Sequence, residues 1–510
     1  MVQNGSHRLE FSKGAWYCLG TVWLVAANGV IATSALAQED SDDSLSFLDT
    51  FVEQVVEGTE LTGELGIFDF RRFHDTNRPF PNIDDPEDDF NTRSNAFGGS
   101  LAVRTGALYG WSANVGISFA EPIINYENPN ENLVGPDDGL FSVTQAYLQY
   151  SRPGLQLRGG RQLLNTPFAN TDQFAFIPRS FNGYSAAVQP LEWQSSGTDH
   201  QAPTDYEHDP LMPFEFEAEP SVEPTIGHSA TENKAPIWHI FVARMTRYQS
   251  RFDDRFTTAN RYVENTSGLF TLGTTLRNTT EYGAYIAQVW HYTFFDTARM
   301  QYAELGYQSP ALMESAHSDG LKPFIRAQYV REEETGRAAM GEIDATIYGL
   351  KVGVQAKRFS VELVGHYSPL QEGSFRDGQL VHPYSDLSGV FYTDTMNNGV
   401  DGLGPGYGLG GRVDIAISDH VEVFTRYVHY EAKRGQSHAF YIFDGERGYA
   451  AGIPIVENQN SWGWDISLRV DMGVFSQHLD GFVIENVLGI TDFDGAERFY
   501  NNRLRFLYQF

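Results

Sequence analysis

The 510-residue chain has a single cysteine, Cys18, close to its N-terminus. Intrachain disulfide bonds are therefore excluded, and stability has to come from a large core or from a closed barrel. Basic residues are also scarce, because 36 lysines and arginines stand against 66 aspartates and glutamates, for a formal net charge of −30. Phosphate contacts need a cationic face, so this balance excludes a protein that binds nucleic acid over most of its surface.

Long hydrophobic runs are missing after residue 37, and the mean hydropathy of the chain is −0.35. This excludes a protein that crosses a membrane with helices. Catalytic motifs are missing too: there is no Gly-x-Ser-x-Gly, no His-Glu-x-x-His, no phosphate-binding P-loop and no paired-cysteine metal site. We therefore expect no enzymatic activity, no bound metal and no cofactor.

The N-terminal region has the pattern of a secretory signal. Arg8 and Lys13 precede an apolar stretch over 19–31, and the small residues Ala35-Leu36-Ala37 come before Gln38. We expect residues 1–37 to be a cleaved signal peptide and residues 38–60 to be a short N-terminal periplasmic segment.

The remaining chain is rich in glycine and aromatic residues, with 49 glycines, 26 tyrosines and an aromatic content of 14%. Strand-like segments recur, and the connections between them are alternately short and long, which is typical of an outer-membrane barrel. Residues 61–510 are therefore predicted to form an all-β, transmembrane antiparallel β-barrel of eighteen strands with short periplasmic turns and long extracellular loops. The predicted strands are 61–72, 96–106, 110–120, 140–150, 154–162, 182–190, 236–249, 268–277, 281–292, 298–307, 321–331, 343–354, 359–368, 405–416, 421–431, 461–472, 480–488 and 502–510.

The last eight residues carry the clearest barrel pattern. Leu504, Phe506, Tyr508 and Phe510 fall on one face at period two, and Arg503 and Arg505 fall on the other. The alternative is the last strand of a soluble sheet, which would also alternate. A terminal Phe510 with aromatic residues two and four positions before it resembles the C-terminal signal of bacterial outer-membrane barrels, so Phe506, Tyr508 and Phe510 are expected to be an assembly signal for the barrel-assembly machinery.

One block of the sequence resembles the OprD family of outer-membrane porins. It consists of Gly160-Arg161-Gln162-Leu163-Leu164-Asn165-Thr166-Pro167-Phe168 and Ile177-Pro178-Arg179-Ser180-Phe181-Asn182-Gly183-Tyr184. The resemblance implies an eighteen-stranded barrel for passive, partly selective diffusion, with an inward constriction loop at 163–181. The constriction residues that it implies are Asn165, Thr166, Asn170, Asp172 and Arg179. An Asp-x-Arg that is common in the family before the proline is replaced here by Gln173, Phe174 and Ala175.

Strand alternation also predicts which charged residues line the pore. They are Arg158, Arg326, Arg412, Asp414, Glu422, Arg426, Asp465, Arg469, Arg503 and Arg505. The resemblance implies a ladder of arginines that draws anions, while the carboxylates on the same face suggest neutralised pairs or a transverse field that orients dipolar solutes. The sequence leaves these possibilities open.

Two acidic stretches complete the pattern: residues 84–89 in the first long loop and an insertion at 191–235, which is either periplasmic or extracellular. The expected function is an outer-membrane porin of a Gram-negative bacterium for small hydrophilic solutes: amino acids, small organic acids or short oligosaccharides. The alternatives are an alginate-type polysaccharide exporter and an outer-membrane barrel hydrolase. The expected partners are outer-membrane lipid, lipopolysaccharide and the solutes, and no nucleic acid is expected to bind. The protein is expected to be a monomer or a loose homotrimer.

Overall fold

A computed structural model describes residues 50–74, 91–126, 129, 139–171, 175–190, 236–251, 253–312, 320–384, 390–397, 399–436, 455–493 and 498–510. These residues form one antiparallel sheet of eighteen strands. The first strand pairs with the second and also with the last, where Leu65 lies opposite Tyr508. The sheet is therefore a closed barrel, and the predicted fold class and strand number are confirmed.

All eighteen predicted strands are present, with boundaries that differ by a few residues. In chain order they are β1 Glu60–His74, β2 Thr92–Arg104, β3 Trp111–Ile124, β4 Leu140–Arg152, β5 Leu155–Gln162, β6 Ser180–Val188, β7 Ile237–Gln249, β8 Leu269–Thr280, β9 Gly283–Phe294, β10 Ala298–Gln308, β11 Lys322–Glu334, β12 Asp344–Ala356, β13 Phe359–Ser368, β14 Gly406–Ser418, β15 Val421–Gln436, β16 Ile455–Asp471, β17 Phe482–Phe493 and β18 Phe499–Gln509.

The alternation of residues in β18 corresponds to two different environments. Phe506 and Phe510 are 44% and 42% exposed on the outer surface of the barrel, whereas Arg503 is 1% exposed on the inner surface. Apolar side chains thus point outward and polar side chains point into the lumen, which is the arrangement that a lipid surround requires.

The two rims of the barrel differ in their connections. Arg152-Pro153-Gly154 and other tight turns join strands at one end, which we call the short-turn rim, and most long connections lie at the opposite, long-loop rim. The Gln189 N–H donates to the Gly154 carbonyl at 2.8 Å, so the chain enters the 189–236 connection from the short-turn rim. The acidic insertion at 191–235 and the acidic stretch at 84–89 lie outside the described residues, as do the predicted signal peptide and residues 38–49.

The helical elements that lie wholly within the described residues are single turns. They are Val52–Val56, Phe375–Asp377, Val400–Leu403, Met472–Val474 and Gln477–Leu479. No helix among the described residues has the length and apolar character needed to cross a membrane.

The largest apolar core lies inside the barrel and not between sheets. Inward side chains of β7 to β10, including Phe241, Trp290 and Tyr302, pack with residues of two loops that enter the lumen, including Phe168 and Phe391. Burial of these aromatic side chains fixes the loops against the wall. The loops determine what remains open in the lumen and therefore define the candidate site.

Candidate functional site

The first inward loop comprises residues 163–171 and 175–179. Its Phe168 N–H donates to Tyr292 Oη on β9 at 3.3 Å, and the Phe168 ring lies 5.6 Å from the Tyr302 ring on β10. Further along the loop, the Phe176 ring meets Phe68 on β1 edge to face at 5.9 Å. Because these contacts are on distant parts of the wall, the loop extends across the lumen.

Most of the polar residues predicted for the constriction are buried within this loop. Asn165 pairs with Asn170 in a small hairpin, and Thr166 Oγ1 donates to the Ala169 carbonyl at 2.8 Å. Thr166, Asn170 and Arg179 are 0%, 3% and 2% exposed. They therefore support the loop and do not face an open path, contrary to what we expected of groups that meet a solute. Asn165 is partly exposed, and Asp172 lies outside the described residues.

A second inward loop, described at 369–384, 390–397 and 399–405, was not predicted to enter the barrel. Its backbone is held by side chains of the barrel wall. Gln328 Nε2 donates to the Val390 carbonyl at 3.1 Å, and the Tyr392 N–H donates back to Gln328 Oε1 at 3.2 Å. Five strands further round the barrel, on β16, the Met396 N–H donates to Asp465 Oδ2 at 2.9 Å. Because β11 and β16 both hold it, the loop covers a wide arc of the lumen.

Inward glycines make room for both loops. A Cβ at Gly98 would lie 2.5 Å from the Phe176 ring, and one at Gly463 would lie 2.5 Å from Thr395 Oγ1. Any larger residue at these positions would collide with the loop. Glycine at these inward positions is therefore the feature of the sequence that indicates the inward loops. The residue types within the loops do not indicate them.

Tyr392 connects the second inward loop to the charged wall. Its hydroxyl donates to Glu304 Oε1 at 2.6 Å, and Lys351 Nζ lies 4.9 Å from its ring centroid. Glu304 also accepts a hydrogen bond from Gln288 at 2.5 Å. A buried carboxylate of β10 therefore fixes the aromatic ring of the loop beside a cation of β12.

The charged residues predicted for the lumen alternate along their strands with outward apolar side chains, and most of them take part in ion pairs. Arg412 contacts Asp414 at 2.7 Å, and Arg426 contacts Asp465 at 3.0 Å. Arg469 lies opposite Glu422 in the register. The paired arrangement argues against a simple ladder of uncompensated arginines.

Two other predicted lumen cations, Arg158 and Arg326, lie in different surroundings. Arg158 is buried and donates to the neutral Gln149 Oε1 at 2.6 Å, over the Tyr147 ring. Arg326 on β11 is exposed although its alternation places it on the inner face, directly opposite Lys351 in the register. Arg326 therefore presents its charge to water in the lumen.

Glu485 on β17 was not predicted as a lumen residue, and it links two arginines that were. Arg505 Nη2 lies 2.5 Å and Arg503 Nη2 lies 3.9 Å from Glu485 Oε1. Lys351 and Glu362, 3.6 Å apart, are a second unpredicted pair. Among the described residues, no group of three or more His, Cys, Asp or Glu side chains is placed to hold a metal ion.

Comparison with known proteins gives a match in structure only. No family model matches the sequence, and no curated protein matches it. Among solved structures, OpdK of Pseudomonas aeruginosa with vanillate has a TM-score of 0.61 at 14% identity, over 88% of this chain and 98% of that chain. A BenF-like porin from Pseudomonas fluorescens has a TM-score of 0.63 at 11% identity, over 89% and 99%.

A third similar structure is OccK2 (OpdF) of Pseudomonas aeruginosa in complex with glucuronate, with a TM-score of 0.60 at 13% identity, over 88% of this chain and 96% of that chain. The three proteins are porins of the OprD type, so the fold that the sequence resemblance implied is confirmed. At these identities the likeness concerns the fold.

Proposed function

We propose that the chain is an outer-membrane porin through which small hydrophilic solutes diffuse passively and selectively. The observation that carries this proposal is a closed eighteen-stranded barrel with an apolar outer face and a charged lumen narrowed by two inward loops. Such a barrel leaves an aqueous path in proteins of this strand number. The function needs no catalytic group, metal or cofactor.

Small organic acids are the solutes that we favour among those expected. Two of the structurally similar porins were crystallised with carboxylates, vanillate and glucuronate. In this chain Arg326 is exposed on the inner face, and Lys351 is its register partner. A polysaccharide exporter would need a continuous basic groove, whereas the described lumen cations Arg412, Arg426 and Arg505 are paired with carboxylates.

The proposed location and assembly follow from the outer surface. Phe506, Tyr508 and Phe510 are all exposed beside one another on β18 and at the chain end, which supports their proposed role as the signal read by the barrel-assembly machinery. With the short-turn rim facing the periplasm, the long loops face the exterior, and the barrel lies in lipid and lipopolysaccharide of a Gram-negative outer membrane. We propose a monomer or a loose homotrimer.

Conductance in planar bilayers tests the proposed function. The purified full chain should give discrete channel steps in salt solution, because an aqueous lumen conducts ions. Aromatic and sugar acids, amino acids and neutral oligosaccharides should then be compared as blockers, and the acids should reduce the current most. A correctly folded chain that gives no channel steps would refute the porin proposal.

Reversing the charge of Arg326 should shift ion selectivity. R326E places a carboxylate in the lumen where a guanidinium now faces water, so the channel should change toward cation preference. The reversal potential across a salt gradient measures the change. R299E is the matched control, because Arg299 is on the outward face and its charge should leave the reversal potential unchanged. Equal shifts in both variants would contradict the placement of Arg326 in the conduction path.

A further inference from the structure

The outward face of β7 changes character at a defined level. Trp238, Ile240 and Val242 form the apolar band on this strand, and Arg244 is the next outward residue. β7 runs from the short-turn rim to the long-loop rim, and β10 begins at the long-loop rim with the outward charged residue Arg299. Arg244 therefore lies at the edge of the apolar band that is nearer the long-loop rim.

Three arginines are grouped at this edge on neighbouring strands. Arg161 on β5 and Arg247 on β7 are both register partners of Asn182 on β6. Arg244 is the partner of Tyr184, which is 73% exposed. Since adjacent strands are about 4.8 Å apart, the Cα atoms of Arg161 and Arg247 are separated by about 10 Å. We call Arg161, Arg244 and Arg247 the outer arginine patch.

Aromatic rings and backbone carbonyls hold two members of the patch. The Arg161 guanidinium lies 4.6 Å from the Phe256 ring centroid, and Arg244 lies 4.5 Å from that of Phe295. Arg244 Nη1 also donates to the Met245 carbonyl at 2.7 Å. Neither the rings nor the carbonyl carries a negative charge, so these contacts orient the guanidinium groups without neutralising them.

The patch differs from outward arginines at the long-loop ends of other strands. Arg299 and Arg331 both contact Glu333, at 2.6 and 3.2 Å. Within the described part of the chain, no carboxylate contacts Arg161, Arg244 or Arg247. The chain has a formal net charge of −30, yet these three cations lie together at the edge of an apolar outer band, which is a position that attracts anionic ligands.

We propose that the outer arginine patch binds phosphate groups of lipopolysaccharide in the outer leaflet. Guanidinium groups match phosphate geometry with paired hydrogen bonds, and exposed Tyr184 offers an amphipathic ring at the height of the sugar headgroup. This inference rests on the proposed outer-membrane location and on the assignment of the long-loop rim to the exterior. It concerns the outside of the barrel and does not depend on which solute passes through the lumen.

Binding of lipopolysaccharide to the purified full chain in detergent tests the inference. The triple variant R161Q/R244Q/R247Q should bind purified lipopolysaccharide at least about tenfold more weakly than the unmodified chain, because basic residues at a lipid surface each add to anion affinity. The unmodified chain should also lose affinity for lipopolysaccharide treated with phosphatase. R161K/R244K/R247K, which keeps the charge, should retain more affinity than the glutamine variant.

R152Q/K357Q/R358Q is the matched control, because it removes three exposed cations from the short-turn rim. Heat-dependent mobility in gels establishes that each variant is folded. Three outcomes would overturn the inference: the patch variant binds lipopolysaccharide as well as the unmodified chain, the control variant loses as much affinity as the patch variant, or dephosphorylated lipopolysaccharide binds as well as the untreated form. A patch variant that loses self-association in light scattering but keeps lipopolysaccharide affinity would instead assign this face to a second copy of the chain. Conductance is measured on the same samples, so failure of the porin proposal is seen separately.

Discussion

Removing the second inward loop should increase single-channel conductance several-fold. Deleting residues 372–402 leaves six residues between Ser368 and Gly406, which are register partners on β13 and β14, so a hairpin connection remains possible. The deletion removes Tyr392 and the backbone groups that Gln328 and Asp465 hold across the lumen. An eighteen-stranded barrel with less material in its lumen has a wider aqueous path. Conductance in planar bilayers and block by organic acids measure the change, and block should weaken as conductance rises.

The control deletion shortens an exposed connection at the short-turn rim. Residues 473–480 follow β16 at the short-turn rim, and Phe475 among them is 70% exposed. Replacing this stretch with a two-residue Asn-Gly turn should leave conductance within its normal spread. If the 372–402 deletion folds and conducts like the full chain, the second inward loop does not limit the pore.

The strands could be predicted because a barrel wall separates two solvents. In β18, Phe506 and Tyr508 alternate with Arg503 and Arg505, which is the pattern expected of a wall with lipid on one side and a polar lumen on the other. Even so, the predicted start of β16 at residue 461 was wrong, because the strand begins at Ile455. Residues 455–460 lack the alternation that marks the centre of the strand, so the sequence pattern did not include them. Strand ends are set by pairing with neighbours, which the sequence pattern does not contain.

The inward loops could be predicted only in part, because loop placement depends on contacts between residues far apart in the chain. Phe168 meets Tyr292 across the lumen, and neither residue alone indicates this. The second inward loop contains enough polar residues to resemble an ordinary extracellular loop. The polarity of residues in the first loop also does not indicate that they are buried. Thr166 is 0% exposed, and its hydroxyl donates to the Ala169 carbonyl of the same loop.

Glu485 was missed for a related reason. Its inward neighbours on β17 are Val483 and Val487, so that face of the strand reads as apolar in the sequence. The pairing with β18 explains its position, since Glu485 lies opposite Arg505 and Val487 lies opposite Arg503. A single carboxylate thus balances two arginines that the sequence had identified without their partner.

Neutralising Glu485 should destabilise the barrel strongly. In E485Q the shape of the side chain is kept, but Arg503, 1% exposed, loses the carboxylate that balances its charge. Breaking a buried ion pair from one side costs about 3 kcal/mol or more, because the remaining charge stays desolvated. The free energy of unfolding, measured by urea titration of the chain in lipid vesicles with tryptophan fluorescence, should fall by that amount.

Two further variants separate the loss of a buried pair from a general effect of losing a carboxylate. E333Q removes the partner of Arg299 on the exposed outer face and should cost less than about 1 kcal/mol. E485Q/R505Q removes one cation together with the anion and should be more stable than E485Q alone, since less uncompensated charge remains beside Arg503. Equal stability of E485Q and E333Q would mean that water reaches the Arg503 and Arg505 guanidinium groups and that this part of the lumen is wider than the packing of β17 and β18 indicates.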